Sequence, residues 1–112
     1  MKLPNVDRAG VPGRKITHYL LSPTHRDGQH KAEFFHSFGF NPETWEKLAA
    51  ALLNHARNHE VASVVSTPFG TNYVIEGPLA APDGRTPNVR SVWFIANGAE
   101  TATLATAYPL DA

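Results

Sequence analysis

The sequence predicts an α+β fold in which two or three N-terminal helices pack on one face of a four-stranded antiparallel meander sheet. Three observations support this prediction. Helical hydrophobic spacing occurs only before Glu60, alternating strand-like spacing follows it, and turn signals separate the predicted strands. Helices that precede a run of strands usually cover one face of an antiparallel sheet.

The composition indicates one small domain spanning residues 1–112. A chain of 112 residues can build a single core, and its 42% hydrophobic and 18% charged residues are typical of a globular protein. The chain has no cysteine, which excludes disulfides, a thiolate nucleophile and cysteine-ligated zinc. Residues 1–11, which contain Pro4 and Gly10, are predicted to form an extended N-terminal lead.

Two helices are predicted in the first forty or so residues. The first is predicted over residues 14–21 from the apolar stripe of Ile16, Tyr19 and Leu20, and Pro23 prevents its continuation. The second is predicted over residues 27–38, with Asp27 as its N-cap and Gly39 as a left-handed C-cap.

A third helix and four strands complete the prediction. The helix begins after the N-cap Asn41, and its apolar residues recur every 3.6 residues as far as Ala56. The strands are predicted at residues 61–67, 71–80, 86–96 and 101–108. Pro82-Asp83-Gly84 and Asn97-Gly98 are tight-turn sequences, which indicates that the strands they join pair antiparallel.

The net charge of zero conceals an asymmetry along the chain. Residues 1–31 carry six Lys or Arg against two Asp, whereas residues 32–112 carry four Lys or Arg against eight Asp or Glu. A basic N-terminal third favours a polyanion locally, but the neutral total argues against nonspecific coating of nucleic acid. A solvated basic face is the structural alternative.

Several standard active-site classes lack their motifs. The chain has no glycine-rich phosphate loop, no Gly-x-Ser-x-Gly elbow and no evident carboxylate pair for glycoside hydrolysis. His18, His25, His30 and His36 leave a metal site formally open, but the nearby carboxylates have no recognised ligand spacing. The sequence therefore predicts neither a metal nor another cofactor.

The remaining chemistry is a metal-free set of His, Lys, Arg and hydroxyl groups. RNA cleavage through the 2′-hydroxyl needs a base, an acid and a cation that stabilises charge at phosphorus. His25 or His30 can act as base or acid because imidazole titrates near neutrality. Lys31, Arg85 or Arg90 can supply the cation.

Aromatic residues on the predicted strands offer surfaces on which an unpaired base can stack. The candidates are Tyr73, Trp93 and Tyr108. Each functional assignment has a structural alternative, since a histidine in a turn can cap a helix and strand aromatics commonly belong to the core.

Five sequence segments together resemble a bacterial family of uncharacterised small domains. They are HYLLSPTH, HKAEFFHSFGF, TPFGTNYVIEGPL, PDGRTPNVRSVW and LATAYP, and the resemblance extends from about Leu3 to Pro109. Members of that family occur as short proteins and at the C-termini of polymorphic toxins. The family is similar in layout to the barnase, EndoU, colicin and RelE group of RNases, in which helices precede a four-stranded antiparallel sheet.

The resemblance implies a set of polar site residues. His25, the pair His30-Lys31, Arg90 and Thr106 match the family's polar motif positions. The family usually has His-Pro where this chain has His25-Arg26, a departure that weakens His25 as a candidate relative to His30. The resemblance also implies an RNA substrate and a cognate antitoxin or immunity protein as partners.

Two functions remain open. The leading hypothesis is a metal-independent RNase-like toxin domain of a toxin–antitoxin or polymorphic toxin system. The alternative is a noncatalytic protein-interaction domain of a small two-gene module, while a small-molecule binding protein has less support because no ligand motif occurs.

No apolar run reaches the roughly 20 residues that span a bilayer, and the N-terminus lacks a signal-peptide pattern. A cytoplasmic location is therefore expected, with export as a toxin tip left open, and the oligomeric state is not predicted.

Overall fold

The structure is a computed structural model, and it describes residues 1–22 and 29–110. Three helices precede the sheet: α1 (Gly13–Lys15), α2 (Gln29–Ser37) and α3 (Trp45–Asn58). Helix α1 continues as a π segment (Ile16–Leu20), in which the Leu21 N–H donates to the Ile16 carbonyl at 2.7 Å. The predicted helices are therefore confirmed, while the predicted N-cap Asp27 lies outside the described residues.

The four predicted strands form one antiparallel sheet. They are β1 (Val61–Thr67), β2 (Gly70–Pro78), β3 (Asn88–Ala96) and β4 (Thr103–Pro109). Their spatial order is β1-β2-β3-β4, which confirms the meander. Gly84 at φ 89° and Gly98 at φ 81° occupy the predicted turns, where a left-handed backbone favours glycine.

The helices cover one face of this sheet. Val89, Ser91 and Trp93 lie at alternate positions along β3 and are buried. Val89 and Trp93 belong to a core that also includes residues of the π segment, α2 and α3. Because successive strand residues point to opposite faces, Arg90 and Val92 lie on the other side, called the open face here. The sequence pattern alone did not decide which face Arg90 occupies.

The junction between α2 and α3 follows the predicted capping residues. Gly39 has φ 99°, and the Phe40 N–H donates to the Phe35 carbonyl at 3.2 Å, as in a Schellman motif. The side chain of Asn41 then accepts a hydrogen bond from the Thr44 N–H at 3.1 Å. These contacts fix the reversal of the chain between the two helices.

The N-terminal residues are more structured than the predicted extended lead. A 3-10 turn occupies Val6–Arg8, and Leu3 is buried in the core. Gly10 forms a parallel bridge with Thr103, and its carbonyl accepts the Leu104 N–H at 3.0 Å. The lead is therefore attached to the start of β4.

Across residues 1–22 and 29–110, no helix is long and apolar enough to cross a membrane.

Candidate active site

The pairing of β3 with β4 places polar side chains together on the open face. Arg90 lies opposite Tyr108, and Val92 lies opposite Thr106. Since directly opposed residues share a face, Arg90, Tyr108 and Thr106 all belong to the open face. Strand β4 is an edge of the sheet, so side chains from the helical layer can extend around it to the same place.

A β-bulge next to Thr106 determines which way that residue points. Val92 pairs with Thr106 but Trp93 pairs with Leu104, which leaves Ala105 without a partner. In a regular strand Leu104 and Thr106 would share a face. The additional residue allows Leu104 to enter the core while Thr106 lies on the open face.

The centre of the candidate site is a three-residue contact among Tyr19, Lys31 and Thr106. The Lys31 ammonium donates a hydrogen bond to the Tyr19 hydroxyl and lies 3.3 Å from Thr106 Oγ1. The hydroxyl oxygens of Tyr19 and Thr106 are also 3.3 Å apart. The three side chains come from the π segment, α2 and β4, so the contact joins the helical layer to the sheet.

Cations and aromatic rings surround this contact. Lys31 Nζ lies 4.7 Å from the ring centroid of Tyr19 and 5.7 Å from that of Tyr108. Lys15 Nζ lies 5.5 Å from the Tyr19 ring, and Arg90 Cζ lies 5.6 Å from the Tyr108 ring. Cations at these distances are attracted to an aromatic face, which helps to hold the positive charges in one region.

Arg90 is fixed between two neighbours. Its Nη1 donates to the Tyr108 hydroxyl at 3.4 Å, and its Nε donates to Glu76 Oε2 at 2.6 Å. Glu76 lies directly opposite Arg90 in the pairing of β2 with β3. The hydrogen bond to Tyr108 and the contact with Glu76 raise the pKa of Arg90, so the guanidinium remains cationic.

The surroundings of Tyr19 favour negative charge on its oxygen. Burial by itself would raise the pKa of the phenol, but the hydrogen bonds of Lys31 and Thr106 and the charges of Lys31 and Lys15 outweigh burial and lower it. Lys15, Lys31 and Arg90 together give this region positive charge, which favours an anionic ligand.

Four of the residues named from the sequence come together here. Lys31 contacts Thr106 directly, and Lys31 and Arg90 both lie near the Tyr108 ring. His30 precedes Lys31 and is exposed in the first turn of α2. His25 lies outside the described residues.

The structure places the other three named residues elsewhere. Tyr73 lies opposite Trp93 on the helix-covered side of the sheet, where Trp93 is fully buried and Tyr73 packs against the core. Arg85 lies 4.2 Å from the Phe38 ring and donates to the Ser37 carbonyl at 2.6 Å, which ties it to the end of α2. None of the three borders the contact among Tyr19, Lys31 and Thr106.

The sequence pattern assigns no site role to Tyr19, Lys15 or Glu76. In the sequence, Tyr19 belongs to the apolar stripe of the first helix and is therefore predicted to pack in the core. Tyrosine nevertheless often lies at the boundary of a core, with its ring packed and its hydroxyl exposed to a polar partner. That property was the one local signal available for Tyr19. The position of Glu76 follows only from the strand register, which is not visible in the sequence.

A second polar cluster is buried between α3 and the sheet. His55 Nδ1 lies 2.9 Å from Ser91 Oγ, and the Trp93 indole N–H donates to the same oxygen at 2.9 Å. A Ser–His contact can activate a nucleophile, but His55 is 2% exposed and Ser91 is 0% exposed. Because both side chains are buried, we assign the pair a structural role. Within the described residues, no group of three His, Cys, Asp or Glu side chains is placed to hold a metal ion.

Comparison with solved structures shows a similar fold in a bacterial toxin complex. The chain resembles a chain of the contact-dependent growth inhibition toxin–immunity protein complex from Klebsiella pneumoniae 342, with a TM-score of 0.71. The similarity covers 96% of this chain and 97% of that chain at 13% sequence identity. At this identity the likeness concerns the fold.

Comparison by sequence identifies a family. A search of curated proteins found no match. The family described as "Domain of unknown function (DUF6883)" matches residues 2–111, nearly the whole chain. This result agrees with the resemblance to a family of uncharacterised small domains, and the chain belongs to the DUF6883 family.

Proposed function

We propose that the chain is a metal-independent endoribonuclease domain of a bacterial toxin system. The observation that carries this proposal is the convergence of Lys31, Thr106 and Tyr19, with Arg90 joined to them through Tyr108. Two cations and several hydroxyl groups thus face one surface. The carboxylate of Glu76, which adjoins this surface, is already paired with Arg90.

The proposed reaction divides these groups by role. The 2′-oxygen of the RNA attacks phosphorus as a base removes its proton, and the bond from phosphorus to the 5′-oxygen breaks as an acid protonates that oxygen. Lys31 and Arg90 offset the charge that develops on the nonbridging oxygens, and Thr106 and Tyr19 orient them. His30 and His25 supply the base and the acid.

The fold likeness supports a place in a toxin–immunity system, as toxin or as immunity protein, and the polar site is the reason for proposing the toxin and its chemistry. The similar solved structure is a complex of a growth inhibition toxin with its immunity protein, so this fold occurs in such a system. Since fold alone does not determine activity, the RNase proposal rests on the polar cluster.

Cleavage assays on purified protein test this proposal. Wild-type protein should cleave single-stranded RNA in the presence of EDTA. Lys31→Ala should lower kcat/KM by roughly 10²–10³-fold, because one preorganised charged donor is removed. Tyr19→Phe, which removes only the hydroxyl, and His30→Gln should also lower it. Lys47→Ala is the matched control, since Lys47 is exposed on α3.

Two results would contradict the mechanism. One is the absence of RNA cleavage and of growth arrest when the wild-type chain is expressed alone. The other is equal activity of Lys31→Ala and Lys47→Ala, because a cation that contacts the reacting phosphate must affect the rate more than a remote one.

A second candidate function is binding of a protein partner through β1. All the residues of β1 between Val61 and Thr67 are exposed, and none of them is charged. Val64 is 48% exposed, Val65 is 49% exposed, and Phe69 in the following turn is 79% exposed. An uncharged edge strand is a template for another strand. The occupant we propose is a strand of a cognate inhibitory protein.

Binding of the neighbouring gene product tests this candidate. Val65→Lys should weaken the complex because it introduces a charge into the interface, whereas Lys47→Gln should not. Equal affinity of Val65→Lys and wild type would exclude β1 as the binding edge. A stable complex whose released chain lacks nuclease activity would instead favour the noncatalytic interaction domain.

A further inference from the structure

A concave surface adjoins the candidate active site and shares Tyr19 with it. This cleft has a volume of about 540 Å³. Its lining comes from the region of α1 and the π segment and from the bulge of β4, namely Pro12, Arg14, Lys15, His18, Tyr19 and Ala105. The volume falls in the range of small-ligand sites.

The charges that line this cleft are of one sign. Arg14 and Lys15 are cationic, whereas no carboxylate is among the described lining residues. None of the ion pairs formed within residues 1–22 and 29–110 involves Arg14 or Lys15. The His18 ring is held by a contact of 3.0 Å between its Nδ1 and the Thr17 hydroxyl. The cleft therefore presents positive charge that is not paired with a carboxylate within the described residues.

The cleft borders the candidate active site at Tyr19 and Ala105. Lys15 and Lys31 both lie within 5.5 Å of the Tyr19 ring centroid, so positive charge extends from the cleft to the hydroxyl of Thr106. Ala105 lines the cleft, and it directly precedes Thr106 in β4. An extended polyanion that occupies one site can therefore enter the other.

We propose that this cleft binds a backbone phosphate of the RNA strand next to the phosphate that is cleaved. This inference rests on the proposed nuclease function and adds a binding subsite to it. Arg14 and Lys15 contact the phosphate oxygens, and the small side chain of Ala105 allows the strand to pass toward Thr106. The subsite recognises the charge of the strand and not its base sequence, because backbone contacts carry no sequence information.

Binding of a single-stranded 2′-deoxy oligonucleotide tests the subsite without cleavage. This probe lacks the attacking hydroxyl but retains the phosphates. We expect Arg14→Gln/Lys15→Gln to bind more weakly than wild type and to reduce the slope of log K against log salt by roughly 0.7 for each phosphate that the variant no longer neutralises. The control is Lys2→Gln/Lys47→Gln, which removes two exposed cations outside the cleft.

The kinetic readout separates binding from chemistry. On cleavable RNA, the single variant Arg14→Gln should raise KM and leave kcat unchanged, since Arg14 lines the cleft and is not among the residues around the contact of Tyr19, Lys31 and Thr106. An affinity and a salt slope equal to those of wild type would overturn the subsite even if RNA is cleaved. Binding that depends on Arg14 and Lys15 without any RNA cleavage would overturn the nuclease function and leave the cleft as a nucleic-acid site.

Discussion

Ser91→Ala is expected to destabilise the fold much more than the removal of one oxygen atom suggests. Ser91 Oγ lies between His55 Nδ1 and the Trp93 indole N–H, each at 2.9 Å, while His55 Nε2 lies 3.0 Å from the Gly77 carbonyl. A carbonyl only accepts, so Nε2 carries the proton and Nδ1 is the acceptor. The direction of both hydrogen bonds is thereby fixed: Trp93 donates to Ser91, and Ser91 donates to His55.

The magnitude follows from the two groups that lose their partner. Alanine leaves the Trp93 N–H and the acceptor nitrogen of His55 unpaired, at residues that are 0% and 2% exposed. An unsatisfied buried polar group costs about 1–3 kcal/mol, so the expected loss of unfolding free energy is about 2–6 kcal/mol. That is a large part of the stability of a small domain, which is about 5–15 kcal/mol.

Urea unfolding followed by tryptophan fluorescence measures this loss. Ser63→Ala is the matched control, because Ser63 is an exposed serine in β1. Surface substitutions usually change stability by no more than about 0.5 kcal/mol. If Ser91→Ala differs from Ser63→Ala by less than that, the buried hydrogen-bond chain does not stabilise the fold as argued.

Two further predictions concern pH and backbone packing. Burial lowers the pKa of His55, so the unfolded chain binds this proton more readily than the folded chain. The unfolding free energy should therefore be fully retained above the unfolded pKa of about 6.5. As the pH falls from there toward the lower folded pKa, it should decrease by up to about 1.4 kcal/mol per pH unit. An equal pH dependence of the unfolding free energy in His55→Gln would contradict this. Gly70→Ala should cost about 1–3 kcal/mol or more, because an added Cβ would lie 2.3 Å from the Ile95 carbonyl oxygen. Gly10→Ala meets no atom within 4 Å and should be nearly neutral, so equal unfolding midpoints of these two variants would refute the packing argument.

The elements that could be predicted from the sequence have local signals. Helix α3 has a 3.6-residue apolar period, and Asn41 caps the short 3-10 turn (Pro42–Thr44) that leads into it. The predicted turns at Gly84 and Gly98 have the left-handed backbone that glycine favours. The bridge between Gly10 and Thr103 has no such signal, because the two residues meet only after the sheet has formed. The same holds for the partner of His55, because Ser91 lies on a strand distant in sequence.

The residues of the candidate site likewise include some that have a signal in the sequence and some that have none. Lys31 and Arg90 were named from their chemistry and Thr106 from the family resemblance, and the structure brings Lys31 into contact with Thr106 and joins Arg90 to them through Tyr108. Tyr19 was not assigned to the site because core packing alone explained its position in the apolar stripe of the first helix. Only the packing of the π segment beside β4 shows that its hydroxyl contacts Lys31 and Thr106.

Two departures from regular structure meet at the candidate site, and they explain why the pattern of the sequence could not show it. The π segment carries Tyr19, and the bulge at Ala105 reverses the side on which the following residues lie. With a regular β4, the burial of Leu104 would direct Thr106 toward the core as well, since residues two apart share a face. Both kinds of irregularity are common beside functional sites, where they re-aim individual side chains. The bulge is therefore the feature that allows one short strand to supply a core residue and, two positions later, a hydroxyl group that Lys31 contacts.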